Sequence, residues 1–329
     1  MFPTSASNTL RQPRTACTHK YLTMKSFAIL TSLMLAHAAS LAAQANHPAP
    51  AAGDGKPAYI ETLDYKGFTG VHNSGNVDVI YTAGKEYSVT VEERGTARST
   101  VRLEEGTITV SSPASGGDAE GKCVTTLRIT APALETLENY GNMQLTCGGN
   151  QPGTLAIENY GNMQLTCGGN QPGTLAIENY GNMQLTCGGN QPGTLAIENY
   201  GNMSFAVDSL SADRVLLENS GNIKADVSKL HVRGFVVENN GMLDGRITAE
   251  ARTLDFENNG KSTLEADYKG GKATVRNCGD SKLSLRVDCE TLNANNSGLS
   301  EMTFSGTADN VRIDGAGRSK VNVSQLNNF

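Results

Sequence analysis

The chain has 329 residues and a formal net charge of −6 at pH 7, with 33 acidic and 27 basic side chains. A surplus of negative charge repels phosphate groups, so the composition argues against nucleic acid or an anionic membrane surface as a partner.

Residues 24–45 have the pattern of a secretory signal peptide. Lys25 precedes a mostly apolar run at 27–41, and the sequence AQA at 43–45 follows as a small-x-small cleavage site. Residues 1–23 are then an upstream extension, and cleavage after residue 45 yields an exported chain. A membrane anchor is the alternative, but the apolar run is shorter than the roughly 20 residues that a membrane-spanning helix needs.

Residues 46–58, which follow the predicted cleavage site, are rich in Pro, Ala and Gly and are interpreted as a linker. Residues 1–45 hold four basic side chains and no acidic one, so their removal changes the formal charge from −6 to −10. No stable membrane span is expected after removal of the signal. We expect the mature chain in the periplasm or on the cell surface.

Residues 59–132 contain short β-strands without a regular repeat. Alternating apolar residues mark each strand, and Gly, Lys-Glu or Ser-Pro turns separate the strands. We interpret the segment as irregular N-terminal β coils that continue into regular repeats at 133–329. The predicted strands are Val77–Ile80, Tyr87–Val91, Thr107–Val110 and Leu127–Ile129.

Residues 133–329 repeat a unit of about 20 residues. The unit ENYGNMQLTCGGNQPGTLAI occurs three times without a change, at 138–157, 158–177 and 178–197, and a fourth copy drifts after Met203. A fixed period near 20 residues is the signature of a solenoid. An Asn, or a residue aligned with it, followed two places later by Gly recurs beyond the identical copies. It stands at Asn139, Asn159, Asn179, Asn199, Asn219, Asn239, Asn258, Asn277 and Asn296.

Each unit contains two strands and two turns. At 155–157 and 163–167 the apolar side chains fall on alternate residues, which is the pattern of a strand with one buried face. The segments 159–162 and 168–173 contain Gly, Asn and Pro, which favour turns. One such coil cannot bury its apolar face alone, whereas stacked coils can. We therefore predict an all-β, single-chain parallel β-helix (β-solenoid) with about 20 residues per coil, right-handed because parallel crossovers almost always are.

Three segments before the identical copies carry a resemblance to a known family. They read FTGVHNSGNVDVIYTAGKEYSVTVE, LEEGTITVSS and VTTLRITAPALETLENYGN. These segments resemble the head GIN domain of the putative auto-transporter adhesin family, and the resemblance extends over about residues 65 to 329. It implies a secreted bacterial envelope protein with a β-helical head and no agreed enzymatic site. The three identical copies depart from the family pattern and look like a recent tandem expansion.

The repeat stacks equivalent side chains into columns. Because Leu155 and Ile157 point inward, the period of two also places Asn159 inward, where stacked amides can hydrogen-bond from coil to coil. The same alternation places Glu158 and Tyr160 outward. We interpret the Asn column as structural and the outward Glu and Tyr columns as a candidate surface for a ligand or partner. That surface comprises Glu138, Glu158, Glu178, Glu198, Tyr140, Tyr160, Tyr180 and Tyr200.

Each outward column also has a purely structural interpretation. Carboxylates one coil apart repel by roughly 1 kcal/mol per pair in water, which a solvated acidic stripe tolerates. Such carboxylates could instead share Ca²⁺, but no EF-hand-like or nonapeptide calcium spacing is present, so we predict no metal site and no cofactor. Stacked Tyr rings stabilise neighbouring coils, or they offer a platform to a glycan or an envelope protein.

Six cysteines remain after the predicted cleavage, and an even number in an exported chain suggests disulfides. Three of them share one inward position in successive coils. There a free cysteine is a small apolar filler, and adjacent cysteines are also close enough to be bridged. The pairing is left open. The six are Cys123, Cys147, Cys167, Cys187, Cys278 and Cys289.

No catalytic pattern accompanies these columns. The sequence contains no Gly-x-Ser-x-Gly, HExxH or P-loop motif, and its acidic residues form single columns rather than a paired cluster. We predict a non-enzymatic, exported β-solenoid that acts as an adhesive or structural surface module of the bacterial cell envelope. The alternative is a carbohydrate-active enzyme of the polysaccharide lyase or hydrolase type, because some parallel β-helices have that activity.

Overall fold

The predicted upstream extension, signal peptide and linker lie outside the residues that the structure describes, as does Cys123. Every regular element in the described part of the chain is a β-strand. No helix there is long and apolar enough to cross a membrane. The structure, a computed structural model, describes residues 59–94, 98–112, 124–148, 150, 153–168 and 173–328.

Twenty strands follow one another in the described ranges. The N-terminal strands are β1 (Tyr59–Leu63), β2 (Gly70–Asn73), β3 (Asn76–Ala83), β4 (Ser88–Arg94), β5 (Thr100–Glu104), β6 (Thr107–Ser111) and β7 (Val124–Ala131). The identical repeats contain β8 (Thr136–Asn139), β9 (Asn142–Gly148), β10 (Thr154–Asn159), β11 (Asn162–Cys167), β12 (Thr174–Asn179) and β13 (Asn182–Asn199). The C-terminal strands are β14 (Asn202–Asn219), β15 (Asn222–Asn239), β16 (Met242–Asn258), β17 (Lys261–Asn277), β18 (Asp280–Asn296), β19 (Leu299–Gly315) and β20 (Lys320–Asn328).

The repeats form a parallel β-solenoid. β10 pairs with β12 and β11 with β13, so that Ile157 lies beside Ile177 and Leu165 beside Leu185. Strands β13 to β19 continue the stack in parallel. The predicted all-β solenoid with about 20 residues per coil is confirmed, and it has about nine turns. The expected right-handed sense stays a prediction.

Alternate side chains along each strand fill the interior. In one repeat Leu155, Ile157, Met163, Leu165 and Cys167 are each 3% exposed or less. Burial of one large aliphatic side chain stabilises the fold by about 1.5–3 kcal/mol. Because the same residue lies in the neighbouring identical coil, each layer of the core packs against a copy of itself.

A column of ten asparagines runs through the interior at the bend between the two strands of each coil, and each is 1% exposed or less. Asn159 Nδ2 donates to Asn179 Oδ1 at 2.7 Å, to Gly161 O at 3.1 Å and to Asn182 O at 3.2 Å. Asn159 Oδ1 accepts from Asn139 Nδ2 at 2.7 Å. The donor and acceptor groups of this buried amide are therefore both satisfied. The column contains the nine asparagines that the sequence pattern places inward, preceded by Asn73.

Glycine recurs two places after these asparagines because adjacent bends approach each other closely. A Cβ added to Gly161 would collide with the carbonyl oxygen of Gly141 in the preceding coil. The backbone N–H of Gly161 donates to Asn139 O at 3.1 Å, and that of Asn162 donates to Gly141 O at 2.9 Å. The recurrent Asn-x-Gly therefore combines a buried amide with a bend at which a side chain does not fit.

The second predicted turn, at 168–173 and its equivalents, is corrected in the third copy, the one of the three identical copies in which the structure describes the whole segment. In the third copy the whole segment Asn182–Asn199 is strand β13, which pairs with β14 and shifts register at two places between Cys187 and Thr194. Local irregularities replace a separate turn because the next coil keeps the backbone hydrogen-bonded through the bend. In the second copy residues 169–172 lie outside the described part.

The N-terminal coils are stacked out of sequence order. β2 pairs in parallel with both β6 and β8, and β3 with both β7 and β9. The coil of residues 70–83 therefore lies between the coil of 107–131 and the first repeat. Antiparallel strands lie outside this stack, since β5 pairs with β6, β4 with β7 and β1 with β4. The sequence pattern predicted neither this order nor the antiparallel pairs.

A whole repeat should be removable as a unit. Deletion of residues 158–177 joins residues 157 and 178 and recreates the original junction, so we expect a folded solenoid that is one coil shorter. Deletion of residues 158–167 alone would align strands with bends and leave buried amides unpaired. Circular dichroism and thermal unfolding of both variants test this. The first variant should keep a cooperative transition close to that of the parent, and the second should lose it. Equal behaviour of the two would contradict coil-by-coil stacking.

Candidate functional site

The outward columns of the repeats meet at the Asn-x-Gly bend and form one continuous surface. We call it the corner face and define it by the columns that contain Glu158, Tyr160, Asn162 and Gln164. Glu158 is half-buried, and the other three side chains are exposed. Strands β10 and β11 place these residues on either side of the bend, and the parallel register repeats the arrangement in the adjacent coils.

The four tyrosines of the corner face form a stack. From Tyr140 to Tyr200 successive ring centroids lie 4.8, 5.0 and 5.0 Å apart, with interplanar angles of 6°, 4° and 6°. Tyr160 and Tyr180 are each 43% exposed, although a neighbouring ring lies against both faces of each. Their edges and hydroxyls are therefore the parts that reach solvent. Each stacked pair stabilises the coils by about 0.5–1.5 kcal/mol.

The two ends of the Tyr stack differ. The His72 ring lies 5.3 Å from that of Tyr140 and is tilted by 38°. At the other end Ser220 follows Tyr200 in the column, because Asn199 pairs with Asn219 in the next coil. A short side chain in this position leaves one face of the Tyr200 ring without an aromatic neighbour from the following coil. Tyr200 is 50% exposed.

Each stacked tyrosine of the later copies is tied to the carboxylate two residues before it. The hydroxyl of Tyr160 donates to Glu158 Oε2 at 3.1 Å, and that of Tyr180 donates to Glu178 Oε2 at 3.1 Å. Burial and the adjacent Glu158 raise the pKa of Tyr160 to about 12. The hydroxyls therefore stay protonated at neutral pH, and they hold the Glu and Tyr columns in fixed relative positions.

The Glu column ends in a basic side chain on both sides. His72 pairs in register with Glu138, and His72 Nδ1 lies 3.1 Å from Glu138 Oε2. Arg276 follows Glu257 in the column, and Arg276 Nη1 lies 4.0 Å from Glu257 Oε2 and 3.5 Å from Asp255 Oδ1. The sequence pattern missed His72, which occupies the Glu position of an out-of-order coil.

The Glu column is not a fully solvated stripe, which corrects the simpler structural interpretation. Burial raises the pKa of Glu178, and the neighbouring carboxylates Glu198 and Glu158 raise it further. Burial and the neighbours Glu198 and Glu238 raise the pKa of Glu218 to about 7. Ser220 stands where Glu218 would otherwise have a Tyr hydroxyl donor, so the negative charge on this carboxylate is poorly compensated.

A second asparagine ladder lies on the outer surface. Asn162 Nδ2 donates to Asn142 Oδ1 at 2.8 Å, and Asn182 Nδ2 donates to Asn162 Oδ1 at 2.9 Å. Donation in this ladder runs toward the N-terminal coil, whereas in the buried ladder it runs toward the C-terminal coil. The amide dipoles of the two ladders therefore oppose each other across the bend.

The outer Asn and Gln columns line a groove of about 1030 Å³. The groove runs along the stack from Asp78 to Asp244, and Gln164, Met163 and Lys224 are among its lining residues. Asp78 and Asp244 are six coil steps apart in the same column. At about 4.8 Å per step they are separated by about 29 Å, whereas the carboxyl pairs of glycosidases lie about 5–9.5 Å apart. The two aspartates therefore do not form such a pair.

In the described part of the chain, no group of three or more His, Cys, Asp or Glu is arranged to hold a metal ion. Adjacent carboxylates of the Glu column are linked to Tyr or Asn donors in most coils, as Asn259 is to Glu257 at 3.2 Å.

Comparison with known sequences finds one family. The pattern of the family described as "Putative auto-transporter adhesin, head GIN domain" matches residues 67–267 and 246–328. No curated protein matches the chain.

Solved structures of three proteins are similar to this chain at low identity. A putative adhesin from Parabacteroides distasonis ATCC 8503 has a TM-score of 0.44 and 13% identity, covering 80% of this chain and 96% of that chain. A putative adhesin from Bacteroides fragilis NCTC 9343 has a TM-score of 0.30 and 12% identity, with coverages of 82% and 96%. A putative lipid binding protein from Parabacteroides distasonis ATCC 8503 has a TM-score of 0.34 and 11% identity, with coverages of 82% and 98%.

The raised pKa of Glu218 predicts a pH-dependent stability. Between its ordinary value of 4.5 and the folded-state value of about 7, the folded protein holds a proton that the unfolded chain releases. The free energy of unfolding therefore falls as the pH rises through this window. Glu218→Gln should be more stable than the parent at pH 8 by about 1 kcal/mol, a value reduced for solvent screening, and should match it near pH 4.

Urea unfolding at the two pH values measures this difference. The control is Glu301→Gln, which removes an exposed carboxylate outside the Glu column and should change stability little at either pH. A Glu218→Gln variant that is no more stable than the parent at pH 8 would show that the column is fully solvated.

Proposed function

Because the chain belongs to the putative auto-transporter adhesin, head GIN domain family, we propose that it is an exported, non-enzymatic adhesive or structural module of the bacterial cell envelope. The family match covers the solenoid from residue 67 to residue 328. In this proposal the solenoid is a rigid rod that displays the corner face, and the corner face makes the adhesive contact.

The observation that carries the proposal is the regular column arrangement of the corner face. Each coil of this region contributes one half-exposed tyrosine, one carboxylate and amide side chains that line the groove. Amides and carboxylates hydrogen-bond to hydroxyl groups, and aromatic edges provide apolar contact. A ligand that itself repeats can engage several coils at once, and this multiplies a weak single contact. We therefore propose a glycan or an envelope protein as the partner.

The stacking geometry distinguishes the four tyrosines within this proposal. The faces of the Tyr160 and Tyr180 rings are occupied by neighbouring rings, so these two residues contribute edges and hydroxyls to a partner. Tyr200 has a ring face directed toward Ser220, and that face can stack on a sugar ring. Tyr200 is thus the proposed anchor, and the other three rings extend the contact along the rod.

The alternative, a carbohydrate-active β-helix enzyme, has less support. A glycosidase of the usual type needs an acid and a nucleophile or base close together in a cleft. The aspartates of the amide groove stand at its two ends, and the Glu column lies outside the groove lining. The described groove is therefore better suited to binding a polymer than to cleaving it.

Export is part of the proposal and rests on the signal-peptide pattern at 24–45. Amino-terminal sequencing of the mature protein from its native host should find a start near Asn46. A mature protein that still begins at Met1 or Met24 would contradict export. That result would not bear on the proposed binding surface.

The binding test uses the parent and three variants against immobilised glycans and purified envelope fractions. Tyr200→Ser removes the open ring face and breaks one stacked Tyr pair. We expect affinity to fall at least about fivefold, since stacking of one ligand ring on an aromatic side chain contributes about 1–3 kcal/mol. Tyr160→Ser with Tyr180→Ser removes every stacked pair of the column, so binding is measured at a temperature where circular dichroism shows a folded protein. Lys229→Ser, on an exposed position outside the four columns of the corner face, is the control and should bind like the parent.

Unchanged binding in the tyrosine variants would overturn the corner face as the adhesive site. Folded Tyr200→Ser and folded Tyr160→Ser/Tyr180→Ser proteins that both bind like the parent would leave the Tyr column a stacking device alone. Loss of binding in the Lys229→Ser control would place the contact outside the corner face.

A further inference from the structure

Three buried cysteines stand in line inside the identical repeats. Cys147 pairs in register with Cys167, and Cys167 with Cys187, in the strands that follow the Asn-x-Gly bend of each coil. Their side chains are 3%, 3% and 1% exposed, and all three are free thiols. Tyr81 precedes the column and Val207 follows it.

The parallel register places the three sulfurs along the axis of the stack. Adjacent positions of paired strands lie about 4.8 Å apart, which is inside the Cα separation of about 4.4–6.8 Å that a disulfide requires. Cys147 and Cys187 are two steps, or about 9.6 Å, apart, beyond the limit of about 7 Å. Cys167 can therefore be bridged to either neighbour, whereas the two outer cysteines cannot be bridged to each other.

The thiols already interact in the reduced protein. The hydrogen bond to Cys167 and burial raise the pKa of Cys147 and Cys187. Accepting hydrogen bonds from both neighbours lowers the pKa of Cys167. Three sulfurs in a row are also the arrangement of thiol–disulfide exchange, in which a thiolate attacks one sulfur of a disulfide and the other sulfur leaves.

We propose that Cys147, Cys167 and Cys187 form a redox site in which Cys167 makes a disulfide with either neighbour while the third cysteine remains a thiol. Formation transfers two electrons and two protons from two thiols to a disulfide oxidant such as glutathione disulfide, which is reduced to two thiols. The exchange between the two pairings needs no further oxidant. The thiolate of Cys187 attacks Cys167, the bond from Cys167 to Cys147 breaks, and Cys147 leaves as the thiolate.

Two other cysteines of the structure support a selective site. Cys278 is disulfide-bonded, so the folded chain already contains oxidised cysteine. Cys289 is buried and free, but its register neighbours are Gly270 and Ala308, so it has no thiol one coil away. Position in the Cys column, rather than burial alone, then decides which thiols are oxidised.

The sequence makes the test direct, because one tryptic peptide isolates the column. No Lys or Arg lies between Arg128 and Arg214, so the peptide of residues 129–214 contains the three cysteines and no other. The full-length chain is refolded in a glutathione and glutathione disulfide buffer, alkylated under denaturing conditions without reduction, and digested. The mass of the peptide gives the number of alkyl groups. Cys289, in a separate peptide, should be alkylated throughout.

The expected peptide from the parent carries one alkyl group. Cys167→Val should carry two, since its remaining cysteines are too far apart, whereas Cys147→Val and Cys187→Val should carry none. Valine suits this position because Val207 and Val227 occupy it in the next two coils, and circular dichroism verifies that each variant folds. A parent peptide with three alkyl groups, or a Cys167→Val peptide with none, would overturn the proposal.

Discussion

The hydrogen bond between buried asparagine side chains in successive coils is the interaction on which the structure depends. The amide of Asn159 donates to the amide of the next coil, to the backbone carbonyl of Gly161 in its own bend and to that of Asn182 in the next coil, and it accepts from the amide of the coil before. A buried amide left without partners costs about 1–3 kcal/mol. A strand that slipped by one residue would both expose its apolar face and leave these amides unpaired. The ladder therefore makes the coil-to-coil register specific, while burial of Leu, Ile, Met and Cys provides most of the stabilisation.

The ladder also determines what the surface can display. Because the bend is held at the same place in every coil, the residues on either side of Asn159 form straight columns. Glu158 and Tyr160 are brought together in this way, and the Tyr hydroxyl partly compensates the crowding of carboxylates. The same regularity carries an electrostatic penalty, which is visible in the raised pKa of Glu218. Sheet stacking thus creates the candidate binding surface and limits its charge state.

The sequence predicts the fold well where the repeats are identical and poorly in the N-terminal coils, where they are not. Identical copies can stack in register in one way that buries Leu155 and Ile157, so the parallel fold, the inward Asn and the outward Glu and Tyr follow from alternation alone. The order of the N-terminal coils does not, because the residues 70–83 and 107–131 are both β-rich and only tertiary pairing selects which lies against the first repeat. For this reason the contact of His72 with Glu138 was missed. The partial burial of the Glu column depends on neighbouring side chains and backbone, which a pattern of single residues does not encode.

The most direct measurement of the ladder compares two asparagines of one repeat. Asn179 is buried and belongs to the inner ladder, whereas Asn182, three residues later, belongs to the exposed ladder, and each is hydrogen-bonded to both neighbouring coils. In urea unfolding, Asn179→Ala should lower the free energy of unfolding by about 1–3 kcal/mol or more, because buried donors and acceptors lose their partners. Asn182→Ala should change it by no more than about 0.5 kcal/mol, because water replaces the lost bonds. Equal losses in the two variants would contradict the account.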